Sequence, residues 1–422
     1  MKIKKSSQLQ QTRELVAWAF LPMMMGAIEG GVVGVLTKRM FDGVVDQSTL
    51  DWSVATLTAV QGFANMSSFL WAAFSHGKNK IRFITALKIA SVVMVGAVSL
   101  VPQSAFGLAV LLFCVIGTRV CYTGVVTLRT TIWQANYPRA SRAIVAGKIA
   151  TVQTLVLAAV SFGVGEAMDI NENAIRWVYP VAASFGILGA WIYSKIRVEG
   201  HKNLLREERD SPHRVSVLPW KTFGLLFEDI SFAKYMFCQF IFGVGNLMLT
   251  APLVIILGDK FNLSYLGEIL IVSTIPILMI PLSTLIWAKL LDRVHVLTFR
   301  SIHSWFFVLS SLIMGLSILT NSITGLWIGS AIRGIGFGGG VLAWNLGHLD
   351  YAPVEESGRY MSLHVTLTGI RGLLAPAFGM MLYSTWLDSD LIAGSIVFFV
   401  GAGLAAIGGI GFIMLSIERK NH

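Results

Sequence analysis

Three arginines and one glutamate stand inside long apolar runs: Arg119, Arg333, Arg371 and Glu29. A guanidinium facing lipid costs at least about 2.5–3.5 kcal/mol, so each must find water, a counter-charge or a ligand. The planar fork of arginine grips carboxylate or phosphate through two parallel hydrogen bonds. Two or three such forks at one place would suit an anionic small molecule. The competing reading is structural: each arginine pairs with a carboxylate, Glu29 above all, or with a helix-end carbonyl, and only holds helices together. Glu29 lies in MMMGAIEGGVVG, whose glycines at 26, 30, 31 and 34 permit close helix approach. Low dielectric penalises the charged form of a carboxyl, so Glu29 is also the proton-coupling candidate. Asn246, in GVGNLMLTAP beside Gly243 and Gly245, is a further substrate-facing candidate, with interhelical hydrogen bonding as its alternative. The same alternative holds for Gln239 and Gln153.

The elements that position these residues are apolar helices. The 422 residues are 55% hydrophobic and only 13% charged, too few charges to cover a soluble protein of this length. Spanning a bilayer takes about 20 mostly apolar residues. Twelve stretches qualify: 15–37, 52–74, 83–102, 105–129, 143–168, 177–195, 230–257, 264–290, 299–319, 323–346, 361–384 and 391–416. The second carries Gln61, Asn65, Ser67 and Ser68, which suits a helix facing a cavity or a neighbour. The basic start (Lys2, Lys4, Lys5) resembles a signal peptide, but the apolar run after it is too long and no cleavage site stands out. It reads as a retained first helix.

One hydrophilic stretch, about 195–223, divides six helices from six. The organisation expected is an N-terminal bundle over 1–195, a linker over 196–229 and a C-terminal bundle over 230–422. Lys and Arg concentrate in alternate loops: Lys78, Lys80 and Arg82; Arg139 and Arg142; Lys202, Arg206, Arg209, Arg214 and Lys221 in the linker; Arg293 and Arg300; Arg359; Arg419 and Lys420. The intervening loops hold Asp46, Asp51, Asp169, Glu172, Asp388 and Asp390. Both termini and the linker are therefore expected on the cytoplasmic side, with Lys38 and Arg39 breaking the pattern. Arg129 lies where it can snorkel and reads as a topology or gate residue. Glu166 and Glu268 lie near helix ends and read as solvated.

The two halves repeat. A slide of 214 residues carries Arg119 to Arg333, Gly124 to Gly338, Leu128 to Leu342 and Tyr137 to Tyr351; a slide of 216 carries Trp71 to Trp287, Ala72 to Ala288 and Phe83 to Phe299. Two slides that agree within two residues, helix for helix, indicate two parallel six-helix repeats. They make Arg119 and Arg333 counterparts.

This organisation resembles the major facilitator superfamily over the whole chain. That family carries a loop reading G-x-x-x-D-R-x-G-R-R after its second helix, echoed after the eighth. Here AKLLDRVHV, residues 288–296, keeps Asp292 and Arg293, with Ala288 and His295 at the glycine positions. The first copy, AAFSHGKNK, residues 72–80, has His76 where the acid stands. The resemblance implies an all-α integral membrane fold of twelve transmembrane helices in two pseudo-symmetric six-helix bundles. It implies a central cavity lined by helices 1, 4, 7 and 10, and a gating role for Asp292 and Arg293. The glycine-proline pattern of many drug antiporters in the family is missing from the fifth helix, which has Gly163 and Gly165 but no proline.

The function expected is secondary active transport of a small solute by alternating access, with an organic anion favoured and proton coupling through Glu29. The bound groups would be Arg119, Arg333, Glu29, Asn246 and Arg371. Two alternatives are export of an apolar cation or drug-like solute, and a non-transporting sensor or assembly partner that keeps the fold. The chain lacks H-E-x-x-H, G-x-S-x-G and any ATP-binding signature, so no enzyme and no cofactor are expected. GFGGG at 336–340 lacks the Lys-Ser/Thr of a phosphate loop and reads as a bendable stretch. Cys114, Cys121 and Cys238 lack metal-ligand spacing. His348, Asp350, Glu355, Glu356 and His364 cluster without fixed spacing and read as a solvated loop, not a metal site. The net charge of +10 is spread between helices, so the partners expected are a small molecule, protons and lipid, with no nucleic acid. A monomer in the cell (inner) membrane is expected.

Overall fold

The computed structural model describes residues 5–137, 139–210, 223–352, 357–385 and 394–421. Lys2, Lys4, Arg214, Lys221, Glu355, Glu356, Asp388 and Asp390 lie outside the described residues, as do the side chains of Lys5, Arg139 and Arg142.

Helices follow the apolar runs, and several cross in pieces. The first span is α1 (Lys5–Ala27) and α2 (Gly30–Met40), parted at Ile28 and Glu29. The second is α3 (Gln47–Ala64) and α4 (Ser68–Phe74), joined by a tight turn at Asn65–Ser67. Then come α5 (Lys80–Ala97), α6 (Ala105–Asn136), α7 (Arg139–Ile170) and α8 (Ile175–Ser194). The linker holds α9 (His201–Asp210) and the single turn α10 (Leu225–Glu228). The seventh span is α11 (Ile230–Leu247) and α12 (Thr250–Lys260). The eighth is α13 (Tyr265–Ile269), a π-turn at Leu270–Thr274 and α14 (Ile275–Leu291). Pro276 explains that wide turn, because its ring removes a donor from the ladder. The last are α15 (Val296–Leu319), α16 (Ile323–Leu346), α17 (Ser357–Thr385) and α18 (Ile396–Asn421).

Eleven helical stretches among the described residues are long and apolar enough to cross a bilayer. The more polar α3 and α4 supply the twelfth. Phe113, Leu285 and Met414 stand outward and exposed, as a surface solvated by lipid allows.

The described chain forms two compact units. The first holds the residues up to Glu29 and those from Ala64 through α9. The second holds Gly30–Phe63 and everything from α10 on. In the first, α1 packs on α7 and α8, and α5 on α6 and α8. In the second, α11 packs on α18, α14 on α16, and α15 on α16 and α18, while α2 packs on α12 and α13. The repeat is visible as matched hydrogen bonds. Trp71 Nε1 donates to the Val120 carbonyl at 2.8 Å, and Trp287 Nε1 to the Ile335 carbonyl at 2.8 Å. Ser104 caps α6 through the Gly107 N–H, and Ser322 caps α16 through the Gly325 N–H.

The GFGGG stretch of α16 is a packing face. A Cβ on Gly338 would lie 2.2 Å from Ser283 Oγ and 3.0 Å from the Ile280 carbonyl. Gly338→Val is expected to destabilise the folded protein by about 1–3 kcal/mol. Gly340→Ala, whose added Cβ would meet nothing nearer than 3.7 Å, should melt near the wild type. Equal melting temperatures for the two variants would contradict this packing.

Candidate functional site

A helix that ends inside a membrane leaves carbonyls without donors. In the first unit α1 ends this way. The Tyr179 hydroxyl donates to the Ala27 carbonyl at 3.0 Å, and Arg119 Nη2 donates to the Ile28 carbonyl at 2.7 Å. Glu29, in the same break, acts electrostatically on Arg119. The second unit repeats the device. Where α11 gives way to α12, Arg333 Nη2 donates to the Asn246 carbonyl at 3.1 Å and to Thr250 Oγ1 at 3.1 Å. The two repeat-related arginines therefore cap two repeat-related breaks.

Arg371 is placed differently. It lies on the wall of a cavity of about 240 Å³ inside the second unit, lined also by Arg300, Asn246, Gln239, Trp344 and Asn345. Arg371 Nη1 donates to the Gln239 carbonyl at 2.7 Å, and its Nε has no partner. Gly243 makes room for the guanidinium, since a Cβ there would lie 2.3 Å from Nη1. Arg300 is only 1% exposed, so its place in a basic loop is a misreading: α15 begins at Val296 and carries Arg300 inward. Its Nη1 lies 3.3 Å from His303 Nδ1, and His303 Nε2 lies 2.7 Å from the Gly336 carbonyl. A carbonyl only accepts, so Nε2 carries the proton and Nδ1 accepts from Arg300. Among the described residues no carboxylate lines this cavity. Among the described residues neither arginine has an acid within salt-bridge distance. Two buried cations thus face one space without a counter-ion among the described residues. Asn246 joins them with its buried Oδ1 unpartnered.

Sequence reasoning missed a second charged cluster, in the first unit. Glu14 is fully buried and accepts from Trp133 Nε1 and from the Tyr137 hydroxyl at 2.7 Å. Lys88 Nζ lies 3.5 Å from the centre of the Tyr193 ring, and the Arg129 guanidinium lies 4.2 Å from Trp18 and 4.3 Å from Trp133. These are cation–π contacts in a desolvated place. Lys88 within the third apolar run was the available signal. Arg129 thus spends its charge on this aromatic box.

The loops on the linker side hold the signature positions. His76 stands where an acid was expected, and Glu208 of α9 supplies one from the linker: it accepts from the Gly77 N–H at 2.9 Å and from Lys80 Nζ at 2.8 Å. In the second copy Asp292 and Arg293 are exposed and form no ion pair among the described residues. The neighbouring His295 instead lies 3.8 Å from Asp350, whose carboxylate also accepts from the Val296 N–H at 2.7 Å. Burial pushes His295 below the usual imidazole range, against the opposite pull of Asp350.

On the opposite side, the exceptions to the charge pattern explain themselves. Lys38 Nζ lies 3.1 Å from Asp51 and 3.0 Å from Asp259. Arg39 bonds Glu268 and the Leu263 carbonyl and stacks 4.4 Å above Tyr265. Glu268 is thus fully buried, and the expectation of a solvated carboxylate is corrected: a cation from the first span covers it.

The model of the family described as Major Facilitator Superfamily matches residues 157–376, just over half of the chain. No curated protein matches the sequence. Among solved structures, a point variant of the nucleoside transporter NupG is similar with a TM-score of 0.73 and 11% identity, over 97% of this chain and 99% of that one. The POT family transporter PepTSo gives 0.72 and 10%, over 98% of each chain. A D-xylose-proton symporter gives 0.70 and 12%, over 96% of each. At such identities the likeness is one of fold. Together with the family match, the twelve spans and the two repeats, it establishes that this chain is a multi-pass integral membrane protein and belongs to the major facilitator superfamily.

Proposed function

We propose that the chain is a secondary active transporter of a small organic anion, bound in the cavity of the second unit by Arg371 and Arg300. The observation that carries this reading is the pairing of two buried guanidiniums on one cavity with no carboxylate among its lining residues. A carboxylate or phosphate entering there supplies the missing counter-charge and accepts from donors already in place. Asn246 and Gln239 add polar contacts, and the aromatic walls suit an organic body. Arg333 supports this unit from the helix break that it holds. The same charge argument disfavours an apolar cation. The fold supports alternating access, with both termini and the linker on the cytoplasmic side of the cell membrane.

Thermal shift of purified protein tests the substrate class. Benzoate, succinate and inorganic phosphate would be compared with xylose, uridine and tetraphenylphosphonium. A ligand at a hundredfold excess over its Kd stabilises the folded state by about 2.7 kcal/mol. At least one anion should raise the melting temperature of the wild type and lose that effect in Arg371→Gln. Stabilisation by tetraphenylphosphonium alone would overturn the anion reading.

A further inference from the structure

His364 is buried in α17 with neither ring nitrogen hydrogen-bonded. That is rare for a group that always carries one donor and, when neutral, one acceptor. Its place in the sequence, beside His348 and Asp350, reads as solvated loop. The structure instead puts it two turns before Arg371 on one face of α17, a spacing of seven residues. Its ring centre lies 5.5 Å from that of Trp344, which lines the anion cavity. Trp344 is thus shared between the cavity and the histidine.

Among the described residues, the groups that act on His364 electrostatically are basic side chains. Arg371 on α17, Arg300 on α15 and His348 after α16 act on it electrostatically. His303 and Tyr235 complete the titratable groups around Arg300. Asp229, which faces Tyr360 one turn earlier on α17, is held by the Tyr360 hydroxyl at 2.8 Å and the Phe232 N–H at 2.8 Å. With the cavity empty, a proton on His364 would make a further cation beside two guanidiniums. An anion in the cavity cancels that field.

We infer that His364 is the proton-coupling residue of this transporter: binding of the anion draws one proton from solution onto its unprotonated ring nitrogen, and release of the anion lets it go. This rests on the anion reading above and refines it. It moves the coupling role away from Glu29, which lies in the other unit, in the break beside Arg119. The neutral imidazole becomes imidazolium, and the net charge carried with a monoanion is zero.

Calorimetric titration tests this with benzoate, succinate and inorganic phosphate, each in two buffers of different ionisation enthalpy. The difference between buffers gives the protons taken up per anion. The wild type should take up close to one proton per anion, and its affinity should fall about tenfold per pH unit above neutrality. His364→Gln should bind with no proton uptake and a flat pH profile. Glu29→Gln should keep both the uptake and the slope. Arg371→Gln should not bind. If none of the three anions binds the wild type, the anion reading fails and the inference with it. If an anion binds the wild type without proton uptake, or if Glu29→Gln alone abolishes the uptake, the inference fails and the anion reading stands. The wild-type measurement decides even where a variant fails to fold.

Discussion

Arg119→Gln and Arg333→Gln are expected to lower the melting temperature sharply, whereas Arg371→Gln melts near the wild type. The three residues look alike in sequence, and each is nearly buried. Their partners separate them. Arg119 holds the Ile28 carbonyl and lies in the field of Glu29. Removing the guanidinium strands the buried Ile28 carbonyl, which costs about 1–3 kcal/mol, and removes a favourable field from Glu29. Arg333 satisfies the Asn246 carbonyl and the Thr250 hydroxyl. Stranding a buried polar group costs about 1–3 kcal/mol. Arg371 gives one hydrogen bond to the Gln239 carbonyl and, unlike Arg333, lies in the repulsive field of a second buried cation, Arg300. Its removal exchanges a small loss for relief from that repulsion, so the two effects nearly cancel. The measurement is melting of the three purified variants without ligand. A loss in Arg371→Gln as large as in Arg119→Gln would mean that all three arginines are structural, and the anion site would lose its best support.

The contrast also marks how far the sequence could be read. Span number, the six-plus-six division and the equivalence of Arg119 with Arg333 are matters of hydropathy and spacing, and they are legible. The partners of the two arginines are not. They are backbone carbonyls at breaks, and the break at Ile28–Glu29 has no proline to announce it. Arg300 and Lys38 illustrate a second blind spot. Counting Lys and Arg near helix ends assigns topology, but it cannot separate a charge facing water from one turned inward. Arg300 turns in because α15 starts three residues earlier than the apolar run suggests. His364 was hidden for the related reason that a polar loop and the first turns of α17 read alike. Glu208 could not be assigned to the first signature loop, because its distance along the chain carries no hint of contact.

Lys38→Met is expected to release the segment Gly30–Phe63 from the helices on which it packs. Lys38 is 3% exposed and bridges Asp51 on α3 to Asp259 on α12. Beside it Arg39 ties α2 to Glu268 on α13. Two adjacent cations thus bind α2 to both α12 and α13, on the side opposite the linker. In the alternating-access cycle proposed above this segment parts from those helices in the other half of the cycle, so the ion pairs would set how long it stays. Losing the central cation leaves the Asp51 carboxylate with Gln47 alone and cuts the tie from α2 to Asp259. A penalty of about 3 kcal/mol shifts a two-state equilibrium by roughly two orders of magnitude, since each 1.4 kcal/mol is tenfold. Val254 reports the parting, because it is fully buried and lies against Gly34 of α2. With Cys114, Cys121 and Cys238 replaced, Val254→Cys would be labelled by an impermeant maleimide from the side opposite the linker. Adding Lys38→Met should speed that labelling at least about a hundredfold, while Lys38→Arg should leave it slow, because a guanidinium can still bridge the two acids. Because the Asp259 side chain is 44% exposed, raising the salt concentration should weaken its pair with Lys38 in part and so speed the labelling of the parent modestly. Equal labelling of Lys38→Met and the parent would mean that apolar packing alone holds the segment. The ion pairs would then only satisfy charges that the fold has already buried.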